Sequence, residues 1–177
     1  MALEEIYRKY QASQGCGDKG TTHQYIASYE RLFSPFKDKA ITLLEIGVAQ
    51  GHSLKMWREY FGKATIIGVD IKSPILDISG CEFHICNQVN RKRLMVILNK
   101  RKLDLVIDDG SHKLFHQMCS FRILFPHLKR GGMYVIEDIQ DPAKHIPFFK
   151  RKLGRCEVID TRIVSKRYDD VLLVWRK

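Results

Sequence analysis

Short apolar runs, each handed on to a stretch of helical period, set the strongest limit on what this chain can fold into. Residues 40–47 (AITLLEIG), Thr65–Asp70 (TIIGVD), residues 82–86 (EFHIC), Leu103–Asp108 (LDLVID) and residues 133–136 (MYVI) are mostly apolar throughout rather than alternately. Strands of that kind are covered on both faces. Residues 53–61, 91–99, 114–128 and 146–153 carry apolar side chains at helical spacing and fall after such runs. Strands alternating with helices make βαβ units on a parallel sheet. Two last runs, residues 156–164 and 170–175, lie too close together for a crossover helix. They are expected to pair antiparallel. The expected fold is α/β: a Rossmann-like, doubly wound, seven-stranded, mostly parallel sheet with an antiparallel last strand.

The length of 177 residues suits one domain. Residues 1–39 should form a mostly helical segment ahead of a core spanning residues 40–177. No apolar run approaches the ~20 residues of a membrane span. The first ten residues mix charged and apolar types, unlike a signal peptide. A cytoplasmic protein with no membrane partner is expected. The five cysteines, Cys16, Cys81, Cys86, Cys119 and Cys156, include no C-x-x-C pair. That disfavours a disulfide framework or a four-thiolate zinc site and leaves buried free thiols.

The formal net charge is +10. Basic residues cluster at Arg91, Lys92 and Arg93 with Lys100, Arg101 and Lys102, and again at Lys150, Arg151, Lys152 and Arg155. Solvated helix faces are the simpler explanation. A nucleic acid or an anionic substrate is the other.

In open parallel sheets, ligands bind beyond the carboxyl ends of the strands. After the first run comes a turn with Gly47, Gly51 and Ser53, and with Ala49 where another glycine would be expected. After the second stands Asp70, at the spacing of an acid that binds ribose hydroxyls. Without a phosphate-binding Lys-Ser/Thr pair, this fits an adenosyl ligand that lacks a pyrophosphate. The third run ends in Asn87 and Gln88, amides suited to an adenine edge. The fourth ends Asp108-Asp109-Gly110-Ser111-His112 and the fifth Glu137-Asp138. Acidic pairs at the mouths of adjacent strands repel unless a cation joins them. Hard oxygen donors select Mg²⁺, Ca²⁺ or Mn²⁺. His112, just beyond Asp109, is placed to act as a general base. The plainer alternative has Ser111 capping the following helix and Glu137 and Asp138 as ordinary loop acids. His112 and His116, four apart, would allow zinc, and His116 is expected instead to pack or hydrogen-bond behind the site.

At these residues the chain resembles the macrocin-type and mycinamicin-type sugar O-methyltransferases, class I enzymes dependent on S-adenosylmethionine and Mg²⁺. The matching pieces are Asp18-Lys19-Gly20 with His23, Tyr25 and Tyr29; Leu44-Glu45-Ile46-Gly47-Val48 through Met56-Trp57; Gly68-Val69-Asp70-Ile71; Ile107 to His112; and Leu124 to Leu128 through Gly131-Gly132 to Glu137-Asp138. The resemblance implies metal ligands at Asp109, Glu137 and Asp138 and a base at His112. It implies cofactor contacts at Glu45, Gly47, Asp70 and Gln88. Gly51, Ser53 and Asp108, at the same strand ends, are expected beside the same cofactor. The region that relatives carry ahead of this domain has no counterpart in the 39 residues before the first strand.

These expectations describe a single methyltransferase domain over residues 1–177. Its partner would be a sugar or other small hydroxylated metabolite, for which the basic charge allows an anion. A homo-oligomer is compatible with it. One competing reading keeps the fold and makes RNA the substrate, motivated by the basic clusters. The absence of a lysine recognisably paired with the acids counts against it. A second competitor is a non-catalytic domain that binds a nucleotide or a partner protein, motivated by Ala49 and Asn87.

Overall fold

The computed structural model describes residues 1–14 and 17–177, without the side chains of residues 12–14. Seven strands form one sheet: β1 Thr42–Ile46, β2 Thr65–Asp70, β3 Glu82–Ile85, β4 Leu103–Asp108, β5 Leu128–Ile136, β6 Glu157–Asp160 and β7 Val171–Arg176. Their order is β3-β2-β1-β4-β5-β7-β6. The first five pair in parallel. β7 slots antiparallel between β5 and β6. This is the expected seven-stranded, mostly parallel sheet, with β7 inserted rather than appended.

Alternate strand residues feed two cores. Leu43, Ile66, Leu105 and Val135 face a cluster built from α1 (Leu3–Gln14), α2 (Ile26–Phe33) and α3 (His52–Tyr60). Leu44, Ile67, Val106 and Tyr134 face α4 (Arg91–Leu98), α5 (Leu114–Leu124) and α6 (Pro142–Leu153). Both sides of the sheet are covered, which is why its central strands are apolar without alternation. The segment ahead of β1 carries α1 and α2. It is also part of the core: Tyr25, Tyr29 and Phe33 are fully buried, and Tyr29 and Phe33 pack edge-on against Trp57 of α3.

Four boundaries differ from the sequence expectation, each for a local reason. The helix expected over residues 114–128 stops at Leu124, because Pro126 takes the chain into a short 3₁₀ turn, Phe125–His127. β5 then begins at Leu128, earlier than expected, and runs through Gly131, whose φ is +82°. α6 starts at Pro142, where the missing N–H of a first-turn proline costs nothing and Asp141 caps Lys144 N–H. The run over residues 156–164 is strand only to Asp160; a short helix, α7 (Arg162–Ser165), follows before β7. Of the cysteines, Cys86 is buried, while Cys81, Cys119 and Cys156 are half-buried free thiols; Cys16 lies outside the described residues.

The turn after β1 brings two loops into contact. Gly47 has φ +83°, and a Cβ there would stand 1.8 Å from the Asp109 carbonyl oxygen. Ala49, at the position where a glycine was expected, also takes a left-handed φ of +47°. Such a φ costs an alanine about 1 kcal/mol, and the loop bears it. Gly47→Ala is expected to destabilise the protein by about 3 kcal/mol, since backbone must move. Ala49→Gly should leave stability unchanged or raised. Urea denaturation of both variants checks this; a well-folded Gly47→Ala would show that the two loops need not touch.

Candidate active site

The register of the sheet gathers the site. Ile46 of β1, Asp108 of β4 and Ile136 of β5 lie level on adjacent strands. The next residues, Gly47, Asp109 and Glu137, therefore emerge together. Backbone bonds hold them there: Asp109 N–H donates to Ile46 C=O at 2.9 Å and Glu137 N–H to Asp108 C=O at 3.0 Å.

The carboxylates close around a lysine. Lys19, 3% exposed, comes from the turn between α1 and α2. Its Nζ donates to Asp109 Oδ2 and to Glu137 Oε1, each at 2.6 Å, and lies 3.6 Å from Glu45 Oε1. Burial alone would lower the pKa of this ammonium. Asp109, Glu137 and Glu45 outweigh burial and hold it well above its ordinary value. The acids feel the converse. Burial, then the charge of Glu137, raises Asp109 and Asp138, while Lys19 opposes the rise at Asp109. Burial lifts Glu45 to about 7. A lysine is thus paired with the acids after all, which overturns the expectation that none is. Sequence reasoning missed its role because Lys19 stands far from every strand end. The only sign of it was the Asp18-Lys19-Gly20 match.

The same N-terminal segment orients the second acidic pair. Tyr29 OH donates to Glu137 Oε1 at 2.5 Å and Tyr25 OH to Asp138 Oδ1 at 2.7 Å. Four apart on one helical turn, the two tyrosines reach adjacent acids. His23 stacks on Tyr25, contacts Asp170 closely and lies 3.4 Å from Asp138 Oδ1. Gln117 of α5 donates to the Glu137 carbonyl.

His112 and Asp138 both adopt φ +54°, an uncommon conformation for non-glycine residues. His112 Nε2 lies 3.9 Å from Asp138 Oδ2, and its Nδ1 is buried without a hydrogen-bond partner. Ser111 does not cap α5: its hydroxyl bonds His116 Nδ1 at 2.7 Å, and Lys113 occupies the cap position. His116 thus braces the loop and also lines the cavity, rather than standing behind it.

A cavity of about 710 Å³ opens beside this cluster, walled by Gly47, Ser53, Asp70, Gln88, Asp109 and His112. That volume suits a nucleoside-sized ligand. Three residues expected on the cofactor do not line it. Asp108 points to the opposite side of the sheet, where it accepts from Ser120, Tyr134 and Gln88. Glu45 lies one layer down and reaches the wall only through Ser53 Oγ, at 2.7 Å. Gly51 ends the turn into α3 with φ +102°. Two others are present but already engaged. Asp70 Oδ2 accepts the N–H groups of Val48 and Ala49, holding the glycine turn in shape. Gln88 spans Asp108 and Ser111 N–H, so both ends of its amide are occupied.

No family model matches the chain. Among curated proteins, it is 39% identical over 137 residues to 8-demethyl-8-alpha-L-rhamnosyl tetracenomycin-C 2'-O-methyltransferase of Streptomyces olivaceus, covering 70% of this chain and 35% of that protein. It is 36% identical over 131 residues to mycinamicin VI 2''-O-methyltransferase of Micromonospora griseorubida, covering 68% and 32%. The chain spans about a third of the length of these relatives. Among solved structures it superimposes on the MycE methyltransferase of the mycinamycin biosynthetic pathway, in complex with Mg, SAH and mycinamycin VI. The TM-score is 0.69 at 31% identity, over 84% of this chain and 39% of that one.

Two outcomes test the electrostatics. Lys19→Met leaves Asp109 and Glu137 buried without their cation and should cost about 3 kcal/mol or more in urea denaturation. Unchanged stability would mean that Lys19 is not their counter-ion. Because Glu45 titrates higher folded, near 7, than its ordinary 4.5, the native state keeps a proton that the unfolded chain releases. Glu45 thus contributes stability below about pH 4.5 that is lost as pH rises toward 7, by up to about 3 kcal/mol. Glu45→Gln should remove that slope from the pH profile of stability.

Proposed function

We propose that this chain, a homologue of the macrocin- and mycinamicin-type sugar O-methyltransferases, transfers a methyl group from S-adenosylmethionine to a hydroxyl of a sugar or other small hydroxylated compound. One observation carries the reading above the others. Asp109 and His112 line a nucleoside-sized cavity, and Asp109 lies within ligand reach of Asp138 in one cluster and of Glu137 in another. The names of the relatives, all O-methyltransferases acting on glycosylated compounds or sugars, support it.

The donor set fits a hard divalent cation. Each of the three acids keeps one oxygen that accepts no hydrogen bond among the described residues: Asp109 Oδ1, Glu137 Oε2 and Asp138 Oδ2. Ligand atoms of Asp109, His112 and Asp138 lie within 4.8 Å of one another, as do those of Glu45, Asp109 and Glu137. When bound, S-adenosylmethionine supplies an electrophilic methyl sulfonium, and Mg²⁺ on Asp109, Glu137 and Asp138 lowers the acceptor hydroxyl's pKa.

The chain's own residues do the rest. The turn from Gly47 to Ser53, held by Asp70, shapes the cofactor wall. Lys19 offsets repulsion between Asp109 and Glu137, and Tyr25 and Tyr29 aim the second acidic pair. His112 takes the acceptor's proton on its imidazole, with Asp138 Oδ2 3.9 Å from its Nε2. Positioning and deprotonation are most of the task. The free thiols suit the reducing cytosol in which we place the enzyme.

The test is to titrate S-adenosylmethionine with and without Mg²⁺, then to screen hydroxylated acceptors with a labelled methyl group. Turnover should need Mg²⁺ and stop in excess chelator. His112→Ala should lower turnover by about 100-fold or more and leave cofactor affinity unchanged. Failure to bind S-adenosylmethionine would sink the proposal, and turnover surviving in His112→Ala would remove the base.

A further inference from the structure

The positive charge of this chain is concentrated on one face. Residues 91–102, 113–127 and 142–156, which build α4, α5 and α6 and their ends, hold 13 of the 30 Lys and Arg and not one Asp or Glu. All three helices cover the same side of the sheet. Arg91, Lys92 and Arg93 on α4, Arg122 on α5, and Lys150 and Lys152 on α6 are exposed. None of these six is paired with a carboxylate among the described residues. Among the described residues of this face only Arg101 and Lys144 have one, in Glu82 and Asp141. The opposite side is balanced: Arg8 pairs with Glu4, and Lys9 with Glu59. His127, among the basic residues, is held below its ordinary value first by burial and then by Lys102, Lys177 and Arg91.

Uncompensated like charges destabilise a compact chain, and nothing inside the fold uses these. Their arrangement limits the partner. The apolar sides of the three helices are consumed by the core, through Leu94, Ile97, Phe121 and Phe149. Exposed Val96 and Phe115 stand on different helices, so no apolar stripe is left to enter a bilayer. A protein interface would likewise want an apolar centre. What the face offers is a broad array of long cationic side chains, which matches a repeating phosphate backbone.

We propose that the surface formed by α4, α5 and α6 binds the phosphate backbone of a nucleic acid, without reading its sequence. This does not depend on the methyl-transfer reading and can hold or fail separately from it.

The experiment is fluorescence anisotropy of the 177-residue chain with a labelled RNA hairpin and a labelled DNA duplex, at rising salt. Micromolar binding is expected at low salt. For about five neutralised phosphates, the slope of log K against log salt on the duplex should be about −4 to −5. The triple variant Lys92→Glu, Arg122→Glu, Lys150→Glu should weaken binding at least tenfold and flatten that slope by about 3. An equal reversal away from this face, Lys37→Glu, Lys39→Glu, Lys63→Glu, should change binding far less. Circular dichroism and urea denaturation of each variant confirm that the fold is kept. Absent or salt-insensitive binding overturns the proposal, and so does an equal loss in both triple variants. Tighter binding to poly-glutamate, or to phosphatidylcholine vesicles with about 30% phosphatidylserine, would assign the face to an acidic protein or a membrane instead.

Discussion

The contact on which the site depends is the ammonium of Lys19 between Asp109 and Glu137. Parallel strands deliver their carboxyl-end residues side by side, and here β4 and β5 bring Asp109 and Glu137, with Glu45 of β1 one layer below. In a buried setting those charges would repel and neutralise. One cation, 2.6 Å from two of them and 3.6 Å from the third, lets the strand ends stay where the sheet register puts them. The tyrosines and His23 complete the arrangement from the same segment, so the residues ahead of β1 are as much a part of the site as the strands.

Much of the fold was legible because its signals are local. An apolar run bounded by a turn and a helix with spaced apolar residues are written in neighbouring positions. The failures were local too. Pro126 ended a helix that periodicity alone would extend, and Pro142 began one that periodicity would start later. The insertion of β7 between β5 and β6 depends on which edge accepts a strand, and no short stretch of residues encodes that.

The site was legible in part. Acidic pairs at strand ends identify themselves, because sheet geometry says where strand ends point. The orientation of each side chain was harder. Asp108 and Asp109 are neighbours, yet the two-residue period of a strand sends Asp108 to the far side of the sheet, where Ser120, Tyr134 and Gln88 bond it. Asp70 and Gln88 were read as ligand contacts. In the fold they also hold the walls, because an amide or carboxylate near a turn satisfies backbone N–H groups first. Lys19 could not be placed at all, because its partners come from the other end of the chain.

That distance in sequence has a kinetic meaning. Lys19 meets Glu137 across 118 residues, and His23 meets Asp170 across 147. Contacts of such separation are closed late, after the entropy of a long loop has been overcome by packing elsewhere. The parallel strands can pair and the core against α4, α5 and α6 can collapse before the N-terminal segment docks and completes the other core. Until it does, the acids have neither their counter-ion nor their tyrosines. Assembly of the site therefore reports completion of the fold: a chain caught part-way holds a sheet with mutually repelling strand ends, and only the finished one presents them in order.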